Sequence, residues 1–405
     1  MRICERGDGS QLAGYDVIVI GAGFAGSVVA RELAERAGKR VAIIEQRDHI
    51  GGNAYDRLDD AGVLIHQYGP HIFHTNSERA YTYLSRFTEW LDYQHEVLAN
   101  LGTEDAPGPY IPVPFNKNSI ETVFDAETAE RYITKLVDTF GDERKVPIIE
   151  LRESDDPELA EIADFVYNNV FLRYTQKQWG LTPEEVDPSV TARVPVFISR
   201  DNRYFQDAYQ GMPAQGYTAL FEALLDHPLI DVYLGTDGRE ALAFSEPGED
   251  GRIDVSVCRQ PFHGTLVYTG AIDELFGNRF GHLPYRSLDF VYETHNCSHW
   301  QPCGTVNYTV SEDYTRITEF THMTGQKLGK TTIMKEYPRA YEALPGQIPY
   351  YAIISDENQA HYERYRKLAE GIEDFHLIGR LAEYRYYNMD AIVVRALELA
   401  DELCG

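Results

Sequence analysis

Gly21, Gly23 and Gly26 stand as G-x-G-x-x-G directly between an apolar strand pattern, YDVIVI at 15–20, and a helix pattern over 26–37 in which Val29, Leu33 and Ala37 share a face. At such a junction the backbone turns tightly and lies against a pyrophosphate, where the unpaired amides and dipole of the helix start favour negative charge. A second strand pattern, RVAIIE at 40–45, completes a βαβ unit of about 30 residues. It ends on Glu45, 19 residues past Gly26, placed to accept hydrogen bonds from an adenosine ribose. Glycines alone could mark only a tight turn. Flanked by strand and helix and followed by this acid, they specify a bound dinucleotide, with Phe24 and Ala25 inside the turn.

The next turn chooses between dinucleotides. The chain continues QRDHIGGNAYD, which puts Gly51, Gly52 and Asn53 where a second stretch of backbone approaches the cofactor. A glutamate followed by this glycine pair is typical of the glutathione-reductase-like fold and predicts FAD rather than NAD. The fold class expected is α/β, with a Rossmann-like FAD-binding domain.

A chain of 405 residues exceeds one compact core. Residues 77–92 read as an amphipathic helix, and 126–180 as a helical region interrupted by the acidic stretch ESDDPELAE. Segments near 190–211 and 286–337 alternate β-branched or aromatic residues with polar ones (VNYTV, YTRITEF, TTIMKEY), the pattern of half-buried antiparallel strands. FHLIGR at 375–380 reads as a short buried strand rejoining the N-terminal sheet, followed by a helix over 390–404. These patterns predict a discontinuous FAD-binding domain (15–92, 220–285 and 370–405), an inserted helical domain with a substrate lid (115–185), and an antiparallel β-sheet substrate domain (93–114, 190–219 and 286–369). Residues 1–14 read as a disordered leader.

Net charge is −27, which argues against nucleic acid and against an anionic membrane surface, since both demand basic patches. With neither a signal-peptide core nor a spanning apolar run, the expected location is cytoplasmic. The cysteines are five and scattered, without metal-ligand spacing, and the histidines His66, His71 and His74 are not spaced as a metal site, so no metal is expected.

From HIGGNAYD onward the chain resembles the UDP-galactopyranose mutase family. The likeness continues through IHQYGPHIFHTN, RYTQKQWG, RVPVFISRDNRYFQDAYQGMPAQGYT, YTRITEF, KEYPRA, IPYYAI and GRLAEYRYYNMD. The resemblance implies interconversion of UDP-galactopyranose and UDP-galactofuranose by a flavin that must be reduced, although the reaction is not a net redox one. Flavin N5 attacks the anomeric carbon and displaces UDP, and the sugar ring opens and recloses through another hydroxyl. That accounts for the lack of a Ser/His/Asp or paired-carboxylate centre in the sequence. By motif position it implies Arg193 and Arg316 as a clamp on the diphosphate. Tyr350, Tyr386 and Tyr204 would lie on the phosphates and pocket, and Tyr174 and Trp179 at the base and lid, with Gly180 as hinge. His71 would lie beside the flavin, and Gly379, Arg380, Asn388 and Met389 would form a late flavin contact. A homodimer and an external reductant such as NAD(P)H come with the family.

The chain departs from the family pattern at several points. Phe197 stands where an arginine is frequent, with Arg200 nearby as a relocated charge. Arg173 and Val170 replace glycine and an aromatic beside Tyr174, which puts uridine specificity in doubt, and Asn388 replaces an aspartate. Two other readings stay open on the residues: the same chemistry on UDP-N-acetylgalactosamine or a GDP-hexose, and an amine-oxidase-like flavin oxidoreductase. If Arg193 and Arg316 grip the leaving group, replacing either with alanine should lower catalytic efficiency at least tenfold.

Overall fold

The computed structural model describes residues 2–4, 9–180 and 195–405. A six-stranded parallel sheet carries the glycine-rich turn. Its strands lie side by side in the order Arg2–Cys4, Ile230–Tyr233, Val41–Ile44, Val17–Ile20, Thr265–Tyr268 and Phe375–Leu377. The two central strands are buried at every position because both sheet faces are covered, which is why they read as unbroken apolar runs. Val17, Val19, Val41 and Ile43 face the helices Phe24–Ala37, Tyr217–Leu225 and Met389–Cys404. Ile18, Ile20, Ala42 and Ile44 face Leu242, Val257 and Phe262.

Two expectations about this layer are corrected. Within the leader, Arg2–Cys4 is an edge strand in register with 231–233, and Leu12 is buried, because the outer strand Ile230–Tyr233 offers a free ladder and an apolar face. The helix expected over 77–92 ends at Leu84. Trp90–Leu91 instead pairs with Met212 and Pro213, and Trp90 stacks on Phe73 at 4.6 Å, so its apolar spacing serves a sheet.

The second layer is a seven-stranded sheet. Its backbone is the long antiparallel pair Tyr285–His295 and Thr331–Ala340, followed outward by Arg316–Glu319, Thr305–Tyr308, Val97–Asn100 and Tyr110–Val113, with Tyr351–Ala352 on the other edge. The described part of 190–219 adds no strand to it. Pro195–Phe197 pairs with Phe115–Asn116 and Lys145–Pro147, and Tyr209–Pro213 with Phe73–Thr75 and Trp90–Leu91.

The third layer is helical. Ala126–Phe140 is capped by Asp125, and Pro157–Val166 by Asp156, whose carboxylate accepts from the amides of Glu158 and Leu159. The acidic stretch is therefore a helix start rather than an interruption: an N-cap acid, a proline in the first turn, then a glutamate. A single π turn, Tyr167–Phe171, leads into the helix Leu172–Trp179.

The contact between the strand Val17–Ile20 and the helix Phe24–Ala37 depends on one absent methyl. A Cβ on Gly26 would stand 2.1 Å from the Gly21 carbonyl oxygen and 2.8 Å from a Val19 methyl. Gly26→Ala should therefore destabilise the chain by about 1–3 kcal/mol, read as a lower urea midpoint with an unchanged slope.

Candidate functional site

A cavity of about 820 Å³ opens at the ends of the strands Val17–Ile20 and Val41–Ile44. Gly21 turns the chain at φ 106°, a conformation that favours glycine, and hands it to Phe24–Ala37. The N-caps of that helix and of Met389–Cys404, Gly23 and Asn388, both line the cavity, and neither makes a side-chain cap. Two helix starts thus present amides and positive dipole ends to one space. Glu45 holds the wall in place: it accepts from the Ala22 amide at 2.8 Å and from the Arg47 amide at 2.9 Å.

Gly21, Gly23, Phe24, Ala25, Glu45, Gly52, Asn53, His71, Gly379, Arg380, Asn388 and Met389 all line this cavity. Gly26 stands one step behind it, in the helix–strand contact. The donor set fits a dinucleotide. Arg47, which the sequence reading passed over, also lines the cavity; it lies 4.1 Å from the Tyr68 ring centre, donates Nη2 to Asn53 at 2.9 Å, and keeps a buried Nη1 with no protein acceptor. An orphaned guanidinium donor in a cavity wall is a place for an anionic or carbonyl oxygen.

Beyond Arg380 lies a second cluster. The Arg380 guanidinium sits 4.6 Å over Tyr386 and 5.7 Å over Tyr351, whose rings stack on each other at 6.2 Å. Tyr351, Tyr174 and His95 are all within electrostatic reach of Arg316, and Tyr204 is within reach of Tyr174 and meets His95 edge-on. Arg316 is fixed from behind: Nε and Nη2 donate to the fully buried Glu336 at 3.0 and 2.9 Å. Burial works against the guanidinium charge, and the Glu336 carboxylate outweighs it, holding the pKa well above the ordinary arginine range. The strand register makes this pair, since Arg316 stands directly opposite Glu336.

Of the expected substrate residues, the structure thus brings Arg316, Tyr174, Tyr204 and Tyr386 together. Arg193 and the Trp179 side chain lie outside the described residues. Tyr350 is turned elsewhere: it is buried edge-on against Phe290 and neighbours Arg47, Tyr292 and Tyr68, while its strand neighbour Tyr351 faces Arg316. Tyr351 and Glu336 were missed. The adjacent tyrosines of IPYYAI gave the signal for the first, but only strand register says which one faces the arginine.

The departures from the family pattern also resolve. Val170 is buried in the helical-layer core, and Arg173 is exposed with its guanidinium on the Val310 carbonyl. Phe197 is buried under Lys145, and Arg200 pairs with Glu121 on the surface, so it does not carry a relocated site charge.

The three clustered histidines do not converge on a metal. His66 Nδ1 accepts from the His71 amide, His71 Nδ1 meets the Gly69 carbonyl, and His74 pairs with Asp207. Among the described residues, His299, Glu319 and His322 bring donor atoms within 4.8 Å of one another. Two of the three already employ those atoms: Glu319 accepts from the amides of Trp300 and Gln301 and from Thr331, and His322 Nε2 meets the Gln301 carbonyl at 3.0 Å.

Comparison with known proteins places these features. A sequence profile for UDP-galactopyranose mutase matches residues 169–386, and one for an NAD(P)-binding Rossmann-like domain matches 19–87. The chain is 34% identical over 395 residues to the UDP-galactopyranose mutase of Mycoplasma pneumoniae, covering 96% of each. It is 33% identical over 388 residues to the dTDP-fucopyranose mutase of Escherichia coli, covering 95% of this chain and 97% of that protein. A crystal structure of reduced UDP-galactopyranose mutase superposes with a TM-score of 0.67 at 15% identity, over 96% of this chain and 93% of the other, and so shares its fold.

Two buried histidines give the structure an acid limit. Burial pushes His66 down to about 4 and His95 to about 3, from an ordinary 6.5. Below pH 6.5 the unfolded chain takes up protons that the folded chain refuses, so stability falls with pH. Between pH 7 and pH 5 each histidine should cost about 2 kcal/mol. Urea unfolding of His95→Gln should show a pH 7-to-5 loss smaller than the wild type's by that amount; equal losses would contradict the assignment.

Proposed function

Because the chain belongs to the UDP-galactopyranose mutase family, we propose that this isomerase interconverts UDP-galactopyranose and UDP-galactofuranose, with FAD, active when reduced, in the 820 Å³ cavity. The observation that carries the reading is the fixed cation Arg316, set among Tyr174, Tyr204 and Tyr351, a step from Arg380 at the cavity wall and the Tyr386 ring beneath it.

When bound, the reduced flavin supplies the nucleophile for the anomeric carbon. The chain's residues do the rest. The two helix starts and the glycine turns would hold the cofactor's pyrophosphate, Glu45 its adenosine ribose, and Arg47 a further oxygen. His71, in the cavity lining, is pushed toward its neutral form by burial; with Nδ1–H donating to the Gly69 carbonyl, its Nε2 would be left as an acceptor for the cofactor.

Arg316 spends Nε and Nη2 on Glu336 and keeps Nη1 for the diphosphate, where charge grows as UDP leaves. Arg193 completes the clamp. Tyr174 and Trp179 cover the base. Tyr204, Tyr351 and Tyr386 hydrogen-bond the phosphates, with Tyr350 supporting them from behind the strand. Asn388, without a cap bond of its own, faces the sugar and flavin.

A homodimer, an external reductant such as NAD(P)H and a cytoplasmic location belong to the same reading. Cys4, Cys297, Cys303 and Cys404 are free thiols, which fits a reducing compartment. Among the described residues no helix is long and apolar enough to cross a membrane.

A second reading, the same chemistry on another nucleotide sugar, is favoured by the likeness to a dTDP-fucopyranose mutase. Anaerobic incubation of dithionite-reduced protein with UDP-galactopyranose should yield a new nucleotide sugar of identical mass that an unreduced control lacks. No conversion with flavin bound would sink the uridine–galactose assignment, and a panel including dTDP-fucopyranose would then decide between sugars. Arg316→Ala should lower kcat/KM at least tenfold, at least about 1.4 kcal/mol of transition-state stabilisation. Glu336→Gln, which keeps the shape and removes the charge that orients the fork, should lose less.

A further inference from the structure

Few of the described side chains on the helix that brings Tyr174 to Arg316 are apolar. Among those of Leu172–Trp179, Arg173 and Gln176 are exposed, Thr175 and Gln178 are buried, and Leu172 packs against the helical-layer core. Polar contacts hold it to the sheet instead. Lys177 Nζ donates to three backbone carbonyls of one turn, those of Tyr308 at 2.5 Å, Glu312 at 3.0 Å and Tyr314 at 3.0 Å. An ammonium has three donors, and here all three are spent on a single turn. Arg173 reaches the Val310 carbonyl of the same turn. From the strand Tyr285–His295, Arg286 donates to the carbonyls of Gln178 at 3.0 Å and Lys177 at 3.3 Å, closing the end of the helix.

The gripped turn is the connection between the strands Thr305–Tyr308 and Arg316–Glu319, and Tyr314 lies two residues before Arg316. One end of the clasp is thus in the helix of Tyr174 and the other in the lead-in to Arg316. The arrangement carries a cost. Burial pulls the Lys177 ammonium down to about 8, opposed by Glu312 and Asp313 in the turn and reinforced by Arg173 on its own helix.

We propose that Lys177 is a positioning residue for the nucleotide-sugar site: by gripping the 308–314 turn it sets the spacing between Tyr174 and Arg316, and so the fit of the nucleotide diphosphate. The role rests on the reading of those two residues as substrate contacts.

Lys177→Met keeps side-chain length and helix propensity and removes the donors. Lys177→Arg keeps the charge but offers a planar fork to three converging carbonyls. In the reduced enzyme with UDP-galactopyranose, Lys177→Met should raise KM at least tenfold while kcat changes less than threefold, with Lys177→Arg between it and the wild type. Hydrogen exchange should show protection lost at 172–179 and 308–315 and retained in the helix Ala126–Phe140. A KM within twofold of the wild type in Lys177→Met, or protection lost throughout the helical layer, would overturn the role while leaving the function standing. A wild-type protein that converts no nucleotide sugar would instead remove the functional reading, and this role with it.

Discussion

A desolvated positive charge has to be kept and aimed in a protein whose overall charge is strongly negative, and the Arg316–Glu336 pair is how this one does it. A buried ion pair adds little net stability, because desolvating both groups consumes most of the attraction. Its effect here is geometric. The antiparallel register of Arg316–Glu319 against Thr331–Ala340 sets the two side chains opposite each other, and a two-point bond leaves the guanidinium one remaining direction. All three layers then converge on that direction. The helical layer sends Tyr174, the sheet edge sends Tyr351, and the turn after Phe375–Leu377 sends Arg380 with Tyr386 stacked beneath it. Arg380 lines the cavity while its guanidinium lies over Tyr351 and Tyr386, so the cavity and the arginine cluster meet at this one residue.

What was legible in the sequence was local. The glycine turn, the acid ending the second strand and the second glycine pair each depend on backbone within a few residues, and all of them line the cavity as expected, save Gly26, which packs behind it. What was not legible depends on partners far along the chain. Alternation along YTRITEF would put Arg316, Tyr314 and Thr318 on one face, yet Tyr314 packs with Tyr308 and Ile317 on the other side, because the strand begins only at Arg316 and the period of two does not reach back into the turn. Tyr350 and Tyr351 are equivalent in composition, and only pairing with 285–286 separates their directions. Glu336 read as an ordinary strand acid. Arg173 and Val170 flank Tyr174 in sequence but point to a turn and to a core, since neighbours on a helix face different ways.

Order along the chain gives one structural feature a different meaning. One wall of the cavity is built at Gly21 and another at Asn388 and Met389, far along the chain, and the helix Met389–Cys404 packs against Phe24–Ala37. A ribosome delivers the chain from its N-terminus. The fingerprint turn therefore emerges with its strand and helix long before the second helix start exists, and a dinucleotide meeting the nascent chain finds half a site. A site that needs both helix starts is complete only after Met389–Cys404 has packed against Phe24–Ala37, so a bound dinucleotide would favour the assembled fold over any state in which those helices are apart.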